Sequence, residues 1–306
     1  MQTEKESHEK LASFWDKFSS VYTSLTEPFN SVLSLQLALQ TRANFAKNVI
    51  EVGCGSGVGS LVIRPFLAPG TTYCCCDLSK GMLEVFKKRY ESSDFTRNPD
   101  NSLEFGLEEP AAGPKIKPKI GREKGVSLSV YKGNSECLSF ADGCFDSYIA
   151  SASLYVVNNP MNMIRESYRV LRPGGIAGFS VFGKLKNSTY FNVAMEILHT
   201  FAAKYGVELP KTRSLFYLGE DEPGLIKMFK EAGYSKVKLW HESTIYDLTA
   251  EQYVEEKLFP LDSVLKAFPP EGKKAFCEAL KTEVQKRFID GDEMISIDFM
   301  MIVCTK

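Results

Sequence analysis

Residues 49–60, VIEVGCGSGVGS, restrict the fold more than any other stretch of the chain. Val49, Ile50 and Val52 are β-branched and suit a buried parallel strand. The run passes straight into Gly53, Gly55 and Gly57. Glycines there let the chain turn tightly and let a ligand reach the backbone without meeting a Cβ. A helix start follows, so the unit is strand, glycine turn, helix, the opening of an α/β sheet. A second apolar run, Thr72 to Cys76, closes on Asp77, about twenty residues past Gly57. An acid at that spacing ends a second strand and suits ribose hydroxyls.

The glycines alternate from Glu51 as E-x-G-x-G-x-G, which is not the G-x-G-x-x-G spacing of dinucleotide sites. Glu51 also sets an acid beside the turn. That is useless next to a pyrophosphate and useful next to a cation. VIEVGCGSG resembles the first motif of the class I S-adenosylmethionine-dependent methyltransferases. The resemblance implies S-adenosylmethionine as cofactor, whose sulfonium and amino group are both positive. It also implies a Rossmann-like α/β fold with a seven-stranded, mostly parallel sheet and an antiparallel last strand. Glu51, Gly53, Cys54, Gly55 and Gly57 then become cofactor contacts, with Asp77 and Leu78 at the second strand's end. Met82 falls where the family often sets an apolar side chain against the adenine ring.

Further motifs carry the same resemblance in order. FWDKFSSVYTSL, residues 14–25, is similar to the opening of small-molecule methyltransferases of the ubiquinone and menaquinone type, and Tyr22 matches an aromatic lying over the cofactor. VSLSVYK, residues 126–132, is a third strand, followed by GNSECLSFADGCFD. Asn134 stands where the family has Asp; its amide oxygen accepts from an adenine amino group without a charge. Asn134, Ser135 and Glu136 are expected at the adenine edge. SYIASASLYVV is the fourth strand, whose exit from Ser151 to Tyr155 should border cofactor and substrate, because ligands of open α/β sheets sit at the strands' carboxyl ends. Ser151 is taken as a cofactor contact and Tyr155 as a substrate contact. RVLRPGGIAGF, residues 169–179, resembles the family's turn into the fifth strand, with a structural role.

The chain reads as one domain over residues 1–306. Residues 1–47 form a helical lid: Leu11, Phe14, Trp15, Phe18 and Tyr22 make one apolar stripe. Residues 91–124 carry four prolines and no hydrophobic period, and read as a flexible insertion. Residues 184–222 and 246–290 read as caps over the substrate, with Tyr190 and Phe191 as pocket-lining candidates.

Composition narrows the partners. A net charge of −1 argues against a general nucleic-acid surface. No apolar run reaches the roughly 18 residues of a membrane span. The first ten residues match neither a secretory signal nor a transit peptide, so the cytoplasm is expected. The eight cysteines show no metal spacing; Cys74, Cys75 and Cys76 alternate faces of one strand and cannot converge on an ion. They read as reduced and mostly buried. His8, His199 and His241 read as surface or packing residues, and no catalytic base is assigned. The expected activity is in-line transfer of a methyl group to a small molecule. Two alternatives stay open: a protein methyltransferase that docks through the Lys-rich insertion, and a binding or scaffold subunit that keeps the fold without catalysis.

Overall fold

The computed structural model describes residues 4–25, 27–106, 118, 124–210 and 214–306. Eight strands form one sheet: β1 (Asn48–Val52), β2 (Thr72–Asp77), β3 (Ser102–Gly106), β4 (Ser127–Lys132), β5 (Phe145–Ala150), β6 (Leu171–Phe182), β7 (Lys236–Tyr246) and β8 (Ile295–Thr305). Their order is β3-β4-β2-β1-β5-β6-β8-β7. β1 pairs in parallel with β2 on one side and β5 on the other. The chain therefore fills one half of the sheet, returns to β1, and builds the other half. That reversal is a topological switch point, where open α/β sheets receive ligands. One place in from the far edge, β8 lies between β6 and β7 and runs antiparallel to its neighbours. Gly183 N donates to Asp298 O, and Lys306 N donates to Gly175 O.

The sheet has eight strands where seven were expected. The extra one is β3, from within residues 91–124. It pairs in parallel with β4, Leu103 opposite Leu128 and Phe105 opposite Val130. SLEFG is too short for its alternation to stand out, and Asn98-Pro99 precedes it. Phe105 meets Phe86 edge-on at 5.7 Å, and Asn101 Oδ1 accepts from Val126 N at 3.0 Å. Residues 107–117 and 119–123, the rest of the expected insertion, lie outside the described residues.

Contacts divide the chain into two compact units. The first comprises residues 1–181, 221–240 and 300–306. Its core is the buried strand side chains Val49, Ile50, Val52, Leu128, Val130 and Ile149 with the helices against them. Helices α1 (Glu4–Leu25) and α2 (Glu27–Gln40) precede β1, and the short α3 (Val58–Ile63) follows the glycine turn. In α4 (Lys80–Glu91), Met82, Leu83, Phe86 and Tyr90 recur at helical spacing and are buried. Ser79 caps it by accepting from Met82 N at 3.1 Å. α5 (Pro160–Val170) opens on Asn159, whose side chain accepts from Met161 N and Asn162 N.

The second unit comprises residues 182–220 and 241–299 and so gathers most of the two stretches expected as caps. It contains α6 (Thr189–Tyr205), the four-residue α7 (Tyr217–Glu220), α9 (Ala250–Leu265) and α10 (Pro270–Val284); α8 (Glu222–Glu231) belongs to the first unit. Val193, Leu198, Phe276, Leu280 and Val284 form its core. A reciprocal cap between Thr249 and Gln252 starts α9. No helix among the described residues is long and apolar enough to cross a membrane.

Candidate cofactor site

The first unit holds a partly open cavity of about 110 Å³. Four of its walls are segments at or just past strand ends: Gly53–Gly55 after β1, Asp77–Leu78 at the end of β2, Gly133–Glu136 after β4 and Ser151–Ser153 after β5. α1 and α2 supply Leu11, Trp15, Tyr22, Asn30 and Ser34. Every residue expected at the cofactor lines this cavity except Gly57.

The glycine turn needs glycine for two separate reasons. Gly53 has a φ of 63°, and a Cβ there would lie 2.7 Å from Ser153 Cβ. Gly57 has a φ of 79°, and a Cβ there would lie 2.6 Å from the Phe86 ring. Gly57 therefore seats the turn on α4 rather than facing the cavity. Cys54, 5% exposed, donates its amide to Cys76 O at 3.2 Å, tying the turn to β2.

The acids are fixed by the backbone around them. Asp77 Oδ2 accepts from Gly55 N and Oδ1 from Ser79 N, both at 2.8 Å. Burial pushes its carboxyl up, opposed by those two amides. Glu51 is buried below the turn, and its Oε2 accepts from Ser60 Oγ and Tyr73 OH, both at 2.5 Å. Burial pushes the Glu51 carboxyl up as well, against the pull of the two hydroxyls.

At the β4 end, Asn134 Oδ1 accepts from Glu136 N at 2.9 Å. This local turn takes one lone pair of the oxygen expected to face adenine. Glu136 braces a different turn, its two oxygens accepting from Asn158 N and Asn159 N at 2.9 Å. It also meets His8 Nε2 at 3.1 Å. α1 is tied down a second time by Asp16 Oδ1, which accepts from Ser79 Oγ and Gly81 N. Asn30 Nδ2 donates to Tyr22 OH at 2.7 Å.

Sequence reasoning missed Asn30 and Ser34, and covered Ser153 only within the Ser151–Tyr155 exit of β5 without naming it. Asn30 and Ser34 stand one helical turn apart on α2, a spacing that puts both on one face. Ser153 stands two residues past Ser151, but the backbone between them leaves the extended form, so period-two reasoning does not apply. Tyr155 is outside the cavity lining; burial, with the Tyr22 phenol as neighbour, pushes its phenol up.

The remaining candidates belong to the second unit. Tyr190 OH donates to Glu256 Oε2 at 2.7 Å, and Lys257 Nζ lies 3.0 Å from the Tyr190 ring centre and 4.5 Å from that of Phe191. Burial pulls the Lys257 amine well below its usual range. His241 Nδ1 meets both oxygens of the buried Asp298 at 2.9–3.0 Å. His199 is exposed on α6.

The lining fits S-adenosylmethionine in charge. Glu51, Asp77 and Glu136 are acids, and no lysine or arginine lines the cavity among the described residues. A cationic ligand is favoured there, and a pyrophosphate is not.

A family model described as a methyltransferase domain matches residues 110–179. The chain is 26% identical over 256 residues to a demethylmenaquinone methyltransferase of Listeria monocytogenes, covering 75% of this chain and 89% of that one. It is 26% identical to one from Streptomyces griseus, covering 79% and 92%. Among solved structures, a putative methyltransferase from Bacillus halodurans aligns at a TM-score of 0.46 with 17% identity, covering 88% and 98%.

Proposed function

We propose that this chain, a class I S-adenosylmethionine-dependent methyltransferase acting on a small molecule, methylates an aromatic acceptor of the quinone or quinol class. Similarity along three quarters of the chain to enzymes named for demethylmenaquinone supports that acceptor. The observation that carries the cofactor side of the reading is the acidic cavity at the switch point of the sheet.

S-adenosylmethionine, when bound, supplies a methyl group already activated by its sulfonium. The chain's own residues then have three tasks. Asp77, fixed by Gly55 N and Ser79 N, is proposed to hold the ribose hydroxyls, and Glu51 to hold positive charge near the glycine turn. Asn134, Ser135, Leu78 and Met82 are proposed around the adenine. Trp15 and Tyr22 from α1 line the cavity and are proposed to cover the bound cofactor and exclude water, which leaves orientation as the main source of rate. Tyr155, Tyr190 and Phe191 stay proposed acceptor contacts. The eight cysteines, none of them bridged, support a cytoplasmic setting.

The test is methyl transfer from radiolabelled S-adenosylmethionine to a panel of hydroquinones, catechols, amines and a lysine-containing peptide. Label in the hydroquinones or catechols is expected. Label confined to the amines or the peptide overturns the proposed acceptor class.

A further inference from the structure

The loop that leaves β5 runs Ser151, Ala152, Ser153. Ala152 has a φ of 48°, in the left-handed region that residues with a Cβ adopt at a cost. Its amide is held there by Ser180 on β6, whose Oγ accepts at 2.8 Å. The turn carries Ser153 to the cavity wall, where it is 8% exposed. Its Oγ has no hydrogen-bond partner among the described residues. Opposite stands Gly53, the position where an added Cβ would strike Ser153 Cβ. A strained alanine, a glycine without which the serine does not fit, and a buried hydroxyl without a partner thus meet at one point. Each lowers the stability of the ligand-free fold, and a ligand that bonds the hydroxyl accounts for all three.

The strand order says which part of the ligand this is. Asp77 ends β2 and Asn134 follows β4, and β1 and β5 come next across the sheet. With ribose and adenine at β2 and β4, the amino-acid end of the cofactor falls over β1 and β5. Ser153 lies two strands from β2, roughly 10 Å at the usual strand spacing. The amino-acid end carries an ammonium and a carboxylate, and a serine hydroxyl accepts from the one and donates to the other. With no basic side chain in the described lining, the carboxylate must rely on neutral donors of this kind.

We infer that Ser153 binds the amino-acid end of S-adenosylmethionine directly, and that Ser180 is a positioning residue that holds it there through the strained Ala152. This rests on the cofactor reading above. The experiment is calorimetric titration of the wild type, Ser153→Ala and Ser180→Ala with S-adenosylhomocysteine and with 5′-methylthioadenosine, which lacks the amino-acid end. Melting temperature of the ligand-free proteins is measured alongside. For Ser153→Ala, affinity for S-adenosylhomocysteine should fall roughly 10- to 150-fold, as for loss of one hydrogen bond to a charged group. Affinity for 5′-methylthioadenosine should stay the same, and the melting temperature should hold or rise, since an unpartnered buried hydroxyl is gone. Ser180→Ala should show the same selective loss with a lower melting temperature. Unchanged affinity, or equal loss for both ligands, overturns the inference alone. A wild-type protein that binds neither ligand overturns the cofactor reading and this inference with it.

Discussion

Replacing Asp77 by Asn keeps the shape of the side chain and removes its charge and one acceptor. In the structure the two carboxylate oxygens receive Gly55 N and Ser79 N, both at 2.8 Å. In Asp77→Asn the remaining oxygen still accepts from one amide, and the new NH2 faces the other. One buried N–H then loses its partner, at a cost of about 1–3 kcal/mol. A compensating term exists, because burial disfavours the ionised carboxylate and the neutral amide escapes that. The net loss of stability should therefore be at the lower end of that range. Binding has no such compensation. A hydrogen bond from a ribose hydroxyl to a charged group contributes about 1.5–3 kcal/mol, or roughly 10- to 150-fold in Kd. The assay is titration with S-adenosylhomocysteine at a temperature where melting curves show the variant folded. A variant of lowered melting temperature with wild-type affinity would refute the reasoning, leaving Asp77 only a brace of the turn.

Three other perturbations have defined outcomes. Glu51→Gln tests a pH slope. The folded-state pKa of Glu51 is raised from 4.5, so its stabilising contribution is complete below that value and is lost as pH rises through the folded pKa. Thermal melts from pH 4 upward should lose that part of the slope in the variant, and an unaltered slope contradicts the assignment. Lys257→Met removes an amine whose pKa is lowered well below 10.5 by burial, so its contribution is lost as pH falls below that value. Desolvation of the charge should outweigh the loss of about 1–2 kcal/mol of cation–π contact. The variant should melt higher than the wild type at pH 7, and a lower melting temperature would show that the aromatic contact dominates. Gly57→Ala forces a φ of 79° on a residue with a Cβ and drives that Cβ into Phe86. Denaturant unfolding should show a loss of about 2–5 kcal/mol from strain and overpacking together, and a loss below about 1 kcal/mol would mean the turn relaxes.

The glycine turn and Asp77 were legible in the sequence because their spacing is local and their backbone demands are peculiar to glycine. The strand ends that wall the cavity followed from the same rule, since each lies just past an apolar run. β3 was not legible: five residues with two apolar side chains gain their stability from β4 and Phe86, which sequence does not set beside them. Asn134 lines the cavity as expected, but the sequence did not show that its oxygen also accepts from the backbone two residues on, a habit of Asn that takes one of its two lone pairs. Ser153 fell within the expected Ser151–Tyr155 exit but could not be singled out there. Its place depends on an alanine held left-handed by Ser180, a contact across two strands that propensity does not encode. Asn30 and Ser34 reach the cavity only because α2 packs where it does.

Calorimetric titration of the wild-type protein with S-adenosylmethionine, S-adenosylhomocysteine and NADH addresses the central claim most directly, that an acidic cavity behind an alternating glycine turn holds a sulfonium cofactor. Micromolar-range binding of the first two with no heat from NADH is the expected result. Binding of NADH, with none of S-adenosylmethionine, would contradict it.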